Sequence, residues 1–507
     1  VVLGVVVGVV MTSFTILETI NLRKFLYLSS SSLYKTLKKV YKEVYGPNER
    51  IIIQHPGPIP HKLLAHLTNV ITALDIPDFV IQIDTNINDE TDYPIPETLP
   101  LLDLPDTLCP YPWINLEIQS QGTVRPCCVI NESLSDAGKP VNFNTSPDLT
   151  LSELYFNDFM VNLRDQFRKG QKPKSCSKCW FEESQGKVSD RQNYIIEVQE
   201  FIHEIDFESE NISNLKSLDI KLGNICNLAC RICRPESSSS LATEVLETVD
   251  IQDIKTHPVY LINQQSQWIR KPNSFWAELK QHLPNIKFLI IAGGEPMMIP
   301  EHLDLLEAAK TSGRSKEISL RYNTNGTIYS DAAVTLWESF KHVRIVVSID
   351  DLTDRFEYQR SNASWHTIVE NLNKYKKNSS ADIVICCTVN IQNVLYLPEI
   401  YSWCIDNRVD NVYLNLLHQP TQLSIEYLTP GAKRIVLEKL SKHDFGKLQD
   451  KINPIISIIE NSDPSDANST LFSQYMESLD QSRGQYFGDS HPEMAKAMNY
   501  VKTNISN

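Results

Sequence analysis

From Leu215 onward, apolar runs of strand length alternate with stretches of helical period, and this alternation constrains the fold more than any other feature of the chain. The runs are SLDIKL, KFLIIA, EISLRY, VRIVVSID, DIVICCTV and NVYLNLL. Between them lie EHLDLLEAAK, SDAAVTLWESF, SWHTIVENLNKYKK and LPEIYSWCID. Strands joined by helices return in parallel, and apolar character on both faces means burial on both faces. The expectation is an α/β chain in which residues 214–430 form a parallel sheet wrapped toward a partial (β/α)6 TIM-like barrel. Chemistry then belongs at the C-terminal ends of the strands.

The motifs obey that rule. CNLACRIC (226–233) follows the first strand, AGGEP (292–296) the second, NTNG the third and SIDD the fourth. CNLACRIC supplies three thiols, Cys226, Cys230 and Cys233, at x3 and x2 spacing. A structural zinc site wants four protein ligands in a closed tetrahedron, and no histidine follows this loop before His257. Either upstream cysteines complete the set, or the site is one ligand short by design. A [4Fe-4S] cube on three thiolates keeps one iron open to substrate or cofactor.

The C-x3-C-x-φ-C pattern of Cys226, Cys230, Ile232 and Cys233, with the motifs at the later strand ends, resembles the radical S-adenosylmethionine (radical SAM) superfamily over residues 214–420. The resemblance implies that the open iron chelates the amino and carboxylate groups of S-adenosylmethionine. One electron from the reduced cluster would then cleave the sulfonium to methionine and a 5'-deoxyadenosyl radical, which abstracts hydrogen from a substrate. Ile232 would pack against the adenine side. Gly293, Gly294, Glu295 and Pro296 match the GGEP motif: the glycines permit close backbone approach, and the Glu295 carboxylate can accept from the cofactor ammonium. Taken alone, AGGEP reads as a glycine turn before a helix. Ser348 and Asp350 match the fourth-strand ribose motif, although Asp351 replaces its usual glycine. Arg360 is placed like the arginine that pairs with the cofactor carboxylate, and Asn325 of NTNG is a weaker cofactor neighbour.

Upstream, CPYPWINLEIQSQGTVRPCC, LSELYFNDFMVNLRDQFRKG and CSKCW resemble the auxiliary-cluster SPASM or shorter twitch module over residues 107–182. Cys109, Cys127, Cys176 and Cys179 would close a second [4Fe-4S] cluster, a structural zinc site being the rival reading of four cysteines, with Cys127 preferred to Cys128 because it holds the P-C position. In most members of the family this module follows the barrel, whereas here it precedes it. Its expected role is electron relay or holding the module together. Cys386, Cys387 and Cys404 read as buried core thiols. No residue stands out as a substrate base, so the catalytic set is unknown.

The rest of the chain divides accordingly. Residues 11–87 read as a small α/β unit, with a helix over 29–46 capped by Ser32, a strand at 51, a second helix carrying Leu63 to Leu74, and a strand at 79–83. Residues 88–106 form an acidic, proline-rich linker. Residues 107–205 hold the cysteine module, including a helix from Leu151 to Phe167, and 431–507 a helical and irregular tail. VVLGVVVGVVMTSFTIL is the only membrane-like segment, but it lacks a basic lead-in and is broken by polar residues. Residues 1–10 are expected to precede a true start at Met11 or to fray. A real anchor is the lesser reading.

A net charge of -14 on 507 residues gives no general pull toward nucleic acid or anionic lipid. Eight of the 11 cysteines fall between Cys109 and Cys233 of this long chain, which favours metal ligation in a reducing, cytoplasmic setting over disulfides. The leading expectation is a radical SAM enzyme acting on a peptide, a protein side chain or a small sugar-like molecule, with a low-potential donor such as flavodoxin or ferredoxin. The alternative is a non-catalytic Zn- or Fe-S-binding adaptor with a degenerate barrel. Metal and sulfide analysis of anaerobically purified protein separates them: iron and sulfide matching two clusters are expected, and zinc without sulfide identifies the adaptor.

Overall fold

The computed structural model describes residues 105–500 except 131, 251, 410, 464 and 466, and, before residue 105, four strands. These are β1 (Gly4–Met11), β2 (Phe14–Asn21), β3 (Ile51–His55) and β4 (Val80–Ile83). They form one sheet in the order β2-β1-β3-β4, antiparallel except for β3 and β4. Residues 4–11 therefore pair as a strand, where one expectation was a frayed end. The helices expected over 29–46 and 63–74, and the linker up to residue 104, lie outside the described residues.

By its internal contacts the chain divides into two units: residues 1–110, 162–174 and 191–210 in one, residues 111–161, 175–190 and 211–507 in the other. In the first, Arg164 and Arg168 both reach the Glu210 carboxylate, at 2.5 and 2.6 Å, and Arg191 donates to the carbonyl of Leu108 at 2.8 Å.

The second unit is built on one large sheet. Its strands are β5 (Asn115–Ile118), β6 (Val124–Arg125), β7 (Ser217–Lys221), β8 (Phe288–Ala292), β9 (Ser319–Thr324), β10 (His342–Ser348), β11 (Asp382–Val389) and β12 (Asn411–Leu416). The order is β12-β11-β10-β9-β8-β7-β5-β6. All six expected strands are present, parallel and in sequence order. Right-handed crossovers between strands in such an order place every connecting helix on the same face.

That geometry changes one expectation. Leu320 and Tyr322 of β9, Ile345 and Val347 of β10, Cys387 and Val389 of β11, and Leu414 and Leu416 of β12 are buried. The alternate residues on these strands include Arg321, Asn323, Ser348, Cys386, Tyr413 and Asn415, and none of them is fully buried. The sheet is apolar on its helix-covered face and largely polar on the other, rather than apolar on both. Cys386 belongs to the polar face, while Cys387 and Cys404 are buried thiols as expected.

The second difference concerns β5, which pairs in parallel with β7 from Asn115↔Ser217 to Ile118↔Ile220. The strand expected within a separate cysteine module is instead the seventh parallel strand of the large sheet. Glu117 secures it: the fully buried carboxylate lies 2.6 Å from Lys221 Nζ on β7 and 2.8 Å from Arg125 Nε on β6. Burial opposes the charge, but Lys221 and Arg125 outweigh it and hold the carboxyl below its ordinary value.

The helix expected from Leu151 to Phe167 is two helices, Leu151–Tyr155 and Asp158–Arg168. Thr150 and Glu153 cap the first reciprocally, and Asn157 Oδ1 accepts from Phe159 N at 3.0 Å to start the second. The tail is more helical than its sequence suggests, with helices Pro430–Lys442, Gln449–Asn461, Ala467–Arg483, Phe487–Ser490 and Pro492–Ala497.

Glu117→Ala would strand two cations, of which Lys221 keeps about 25% of its side chain exposed. A loss of about 3 kcal/mol is expected in urea unfolding of the whole chain, and a loss below about 0.5 kcal/mol would show that β5 is held by backbone pairing alone.

Candidate functional site

The strand ends of β7 to β10 bring most of the expected site residues into one neighbourhood. After β7 the chain turns at Gly223 and runs through Asn224 and Ile225 into the cysteine loop. That loop is stitched to the turn after β8 by backbone alone: Gly294 N donates to Gly223 O at 3.0 Å, and Glu295 N to Ile225 O at 2.7 Å. A Cβ on Gly294 would collide with the Ile225 carbonyl, and one on Gly293, at φ +142°, would lie 2.9 Å from Gly223 O. The two glycines are therefore required by the loop itself.

Glu295 is completely buried and satisfied by protein donors. One carboxylate oxygen accepts from Thr324 Oγ1 at 2.7 Å and from Met297 N at 3.1 Å, the other from Asn325 N at 2.7 Å. Burial pushes its pKa up to about 7 against these hydrogen bonds. The carboxylate thus ties the end of β8 to the end of β9, and Pro296 opens a short turn below it.

Asn325 extends the tie to the cysteine loop. Its amide nitrogen donates to Asn227 Oδ1 at 3.0 Å and lies 3.7 Å from Cys226 Sγ, while its Oδ1 accepts from Thr327 N at 2.9 Å. Leu228 N stands 3.4 Å from the same sulfur. On the other side, Ala229–Cys230 pairs antiparallel with Arg360–Ser361, which sets Arg360 opposite Cys230. Arg360 Nη1 is 3.8 Å from Cys230 Sγ, and Nη2 is 2.7 Å from the Asp350 carboxylate. Asp350 also accepts from Thr388 N at 2.8 Å. Burial works against the guanidinium charge, but Asp350 outweighs it, and the Arg360 pKa lies above its ordinary value.

Cys226, Cys230 and Cys233 carry free thiols. Burial, chiefly, pushes Cys226 up to about 11 and Cys233 up to about 12, and raises Cys230 against the opposing charge of Arg360. Ile232 packs against the small cluster of Cys226, Leu228 and Cys230. Ser348 ends β10 on the polar face opposite Cys386 in register. Asp351, where the sequence departs from the expected glycine, is a buried hub. It accepts from Arg355 Nε at 2.8 Å and Gln359 Nε2 at 2.9 Å, and lies 3.5 Å from His491 Nε2. In the cysteine module Cys127 is buried and Cys128 exposed. Arg125 holds that turn by donating to Ile130 O at 2.7 Å and Cys128 O at 3.3 Å. Cys109 and Cys179 are buried and Cys176 partly so.

Residues 220–398 match the Radical SAM superfamily. The chain carries a radical SAM domain. Residues 109–180 match SPASM, an iron-sulfur cluster-binding domain, which here lies N-terminal to the radical SAM domain. Among solved structures, the chain is similar to native anSMEcpe with bound AdoMet and Cp18Cys peptide, at 17% identity over 45% of this chain and 59% of that one, with a TM-score of 0.31. It is also similar to Streptococcus suis SuiB bound to S-adenosylmethionine, at 14% identity over 55% and 61%, TM-score 0.30. SuiB bound to precursor peptide SuiA aligns at 13% identity over 63% and 64%, TM-score 0.27. These alignments span less than two thirds of each of those chains. None of the curated proteins compared with the chain matches it.

A radical SAM domain implies a [4Fe-4S] cluster and S-adenosylmethionine, and a SPASM domain implies auxiliary cluster binding. The cysteine loop fits such a cluster. Two buried thiols and the half-buried Cys233 need a counter-charge to ionise, which cluster iron supplies. Donors already face two of the sulfurs: Leu228 N and Asn325 Nδ2 at Cys226, and Arg360 at Cys230. Hydrogen bonds to sulfur are a principal means of tuning such clusters. Among the described residues no three His, Cys, Asp or Glu side chains gather as for a single ion. In a cube each thiolate takes a separate iron, so the fit rests on the donor set and its surroundings.

The sequence did not reveal Asp351 as a hub, the polar face carrying Cys386, or the partners of Arg231 described below. A charged residue wedged between two cysteines of the motif was the available signal for the last. For Gly294→Ala we expect destabilisation on the order of 2–3 kcal/mol, because the new methyl meets backbone that cannot rotate away. Gly313→Ala, with open space at its Cβ but a φ of +72°, measures backbone strain without a clash and is expected to cost only about 1 kcal/mol. Equal unfolding midpoints for the two variants would show that the cysteine loop yields to a Cβ.

Proposed function

We propose that this protein is a radical SAM enzyme that removes a hydrogen atom from an unactivated C–H bond of a peptide, a protein side chain or a small sugar-like molecule. The reading is carried by the three thiols of Cys226, Cys230 and Cys233, held on a loop that Gly294, Glu295 and Asn325 fasten to neighbouring strand ends. When bound and reduced, a three-thiolate [4Fe-4S] cluster supplies the electron that cleaves S-adenosylmethionine to methionine and a hydrogen-abstracting 5'-deoxyadenosyl radical.

The chain's own residues have separate tasks in this reading. Cys226, Cys230 and Cys233 bind the cluster. Gly293 and Gly294 let the loop close, and Glu295 holds Asn325 in place beneath it. Pro296 sets the exit of that turn. Arg360, already beside Cys230, offers a fixed positive charge to the cofactor carboxylate, and Asp350 keeps it charged and oriented. Ser348, on the half-open polar face, offers a hydroxyl to ribose, and Ile232 an apolar surface to adenine. The engagement of Asp350 by Arg360 and Thr388 makes it the less available of the two ribose candidates.

Cys109, Cys127, Cys176 and Cys179 bind an auxiliary [4Fe-4S] cluster whose four protein thiolates close it to substrate, leaving electron relay or structural support as its task. A low-potential flavodoxin or ferredoxin supplies the electron.

Anaerobic reconstitution followed by dithionite and S-adenosylmethionine is expected to yield 5'-deoxyadenosine, slowly without substrate. Cys230→Ala is expected to abolish the product. A fully reconstituted chain that gives none, or gives as much with Cys230→Ala, overturns the reading.

A further inference from the structure

Arg231 is the one charged residue inside CNLACRIC, between Cys230 and Ile232, yet its side chain is completely buried. It turns toward the C-terminal tail. Nη2 donates to Asp480 Oδ1 and to Gln485 Oε1, both at 2.7 Å, and Nε donates to the Tyr358 carbonyl at 3.0 Å. The guanidinium carbon lies 3.8 Å above the Tyr358 ring. The backbone is held as firmly: Arg231 N donates to Gln359 O at 2.9 Å, and Arg231 O accepts from Tyr475 Oη at 2.6 Å.

Asp480 and Tyr475 both belong to helix Ala467–Arg483. The Asp480 carboxylate is itself filled by Tyr358 Oη at 2.7 Å, Tyr500 Oη at 2.8 Å and Phe487 N at 2.8 Å. The last residue of the helix, Arg483, donates to Ser361 Oγ at 2.8 Å and pairs with Glu244 at 2.9 Å. Ser361 lies opposite Ala229 in the strand pair that carries Cys230. One helix thus grips both strands of that pair, some 250 residues from the loop in sequence.

We propose that helix 467–483 is a clamp on the cluster loop, in which Asp480, through Arg231, fixes the span between Cys230 and Cys233 and so sets the retention and electronic character of the cluster they hold. Arg231 and Asp480 are positioning residues. The proposal rests on the reading that the three cysteines bind a [4Fe-4S] cluster. The physical reason is that a buried guanidinium without its carboxylate is untenable, so loss of Asp480 must let Arg231 seek water. The peptide joining two ligands moves with it.

The test uses full-length reconstituted protein carrying Asp480→Asn, Arg231→Lys or Phe472→Leu. Phe472 packs on the rings of Phe487 and Tyr500, which reach Asp480 through a backbone N–H and a hydroxyl, so its variant loosens ring packing in the tail while leaving the Arg231–Asp480 pair in place. Two quantities are read: the rate of iron transfer to a ferrous chelator, and the EPR g-values of the reduced cluster before and after adding S-adenosylmethionine. Asp480→Asn and Arg231→Lys are expected to speed iron loss roughly tenfold and to shift the g-values, and the double variant to go no further than either single one. Phe472→Leu is expected to lower the melting temperature with unchanged g-values. If Asp480→Asn does not fold, Tyr475→Phe, which removes only the hydroxyl on Arg231 O, is expected to give the same spectral shift in smaller measure. A normal wild-type signal that is unchanged in these variants, or moved equally by Phe472→Leu, overturns the clamp alone. A wild-type chain whose spectrum does not respond to S-adenosylmethionine overturns the proposed function and the clamp with it.

Discussion

The backbone of Gly294 lies so close to Ile225 that no side chain fits between them, and the site depends on that approach. The cysteine loop has almost no regular structure of its own, only two residues of paired strand. Its course from β7 is fixed by hydrogen bonds from Gly294 and Glu295 to Gly223 and Ile225. Because those donors sit at the end of a neighbouring parallel strand, the register of β7 against β8 decides where the cysteines begin. Glu295 passes the same constraint to β9 through Asn325, and Asn325 returns it to Cys226. The site is a closed circuit of short contacts across three strand ends.

Charge is distributed around this circuit in buried pairs. Arg360–Asp350 flanks Cys230 from the sheet, and Arg231–Asp480 holds the next residue from the tail. Each cation is matched to a buried carboxylate that has further donors of its own, Thr388 N at Asp350 and Tyr358, Tyr500 and Phe487 at Asp480, which helps a buried ion pair hold position. Arg360, 3.8 Å from Cys230 Sγ, and more distantly Arg483 also favour the ionised form of that thiol. The thiols, raised by burial in the bare protein, thereby have partners waiting for their ionised form.

Much of this was legible in the sequence because it is local. Strand periodicity located six parallel strands, and the motifs at four of their ends could be ordered from spacing alone. The missing parts are contacts between distant segments. Nothing in WINLEIQ says that Asn115–Ile118 pairs with Ser217–Ile220, since an apolar alternating strand suits any edge. Nor does the tail announce Asp480, which sits in a helix of low apolar periodicity among ordinary polar residues. The polar face escaped for a different reason. Runs such as VRIVVSID read as apolar throughout, and their few polar positions, Ser348 among them, acquire a common face only when neighbouring strands are set in register.

The place of the SPASM domain before the barrel then has a structural consequence. In a sheet whose strands follow sequence order, β7 and β12 are the two open edges of the six-strand core. A segment that precedes β7 can join the β7 edge in parallel after one crossover, and β5 does so. The turn after β6 leads straight to Cys127, and β5 is locked by Glu117 to Lys221, the last residue of β7 before the cysteine loop. The strand that launches the radical SAM cysteines and the hairpin that launches the first SPASM cysteine of this unit are thus bonded neighbours. A module arriving after the sixth strand would meet the β12 edge instead, five strands away from that loop. Chain order has selected the edge, and Glu117 fixes the two cysteine-bearing turns to one register.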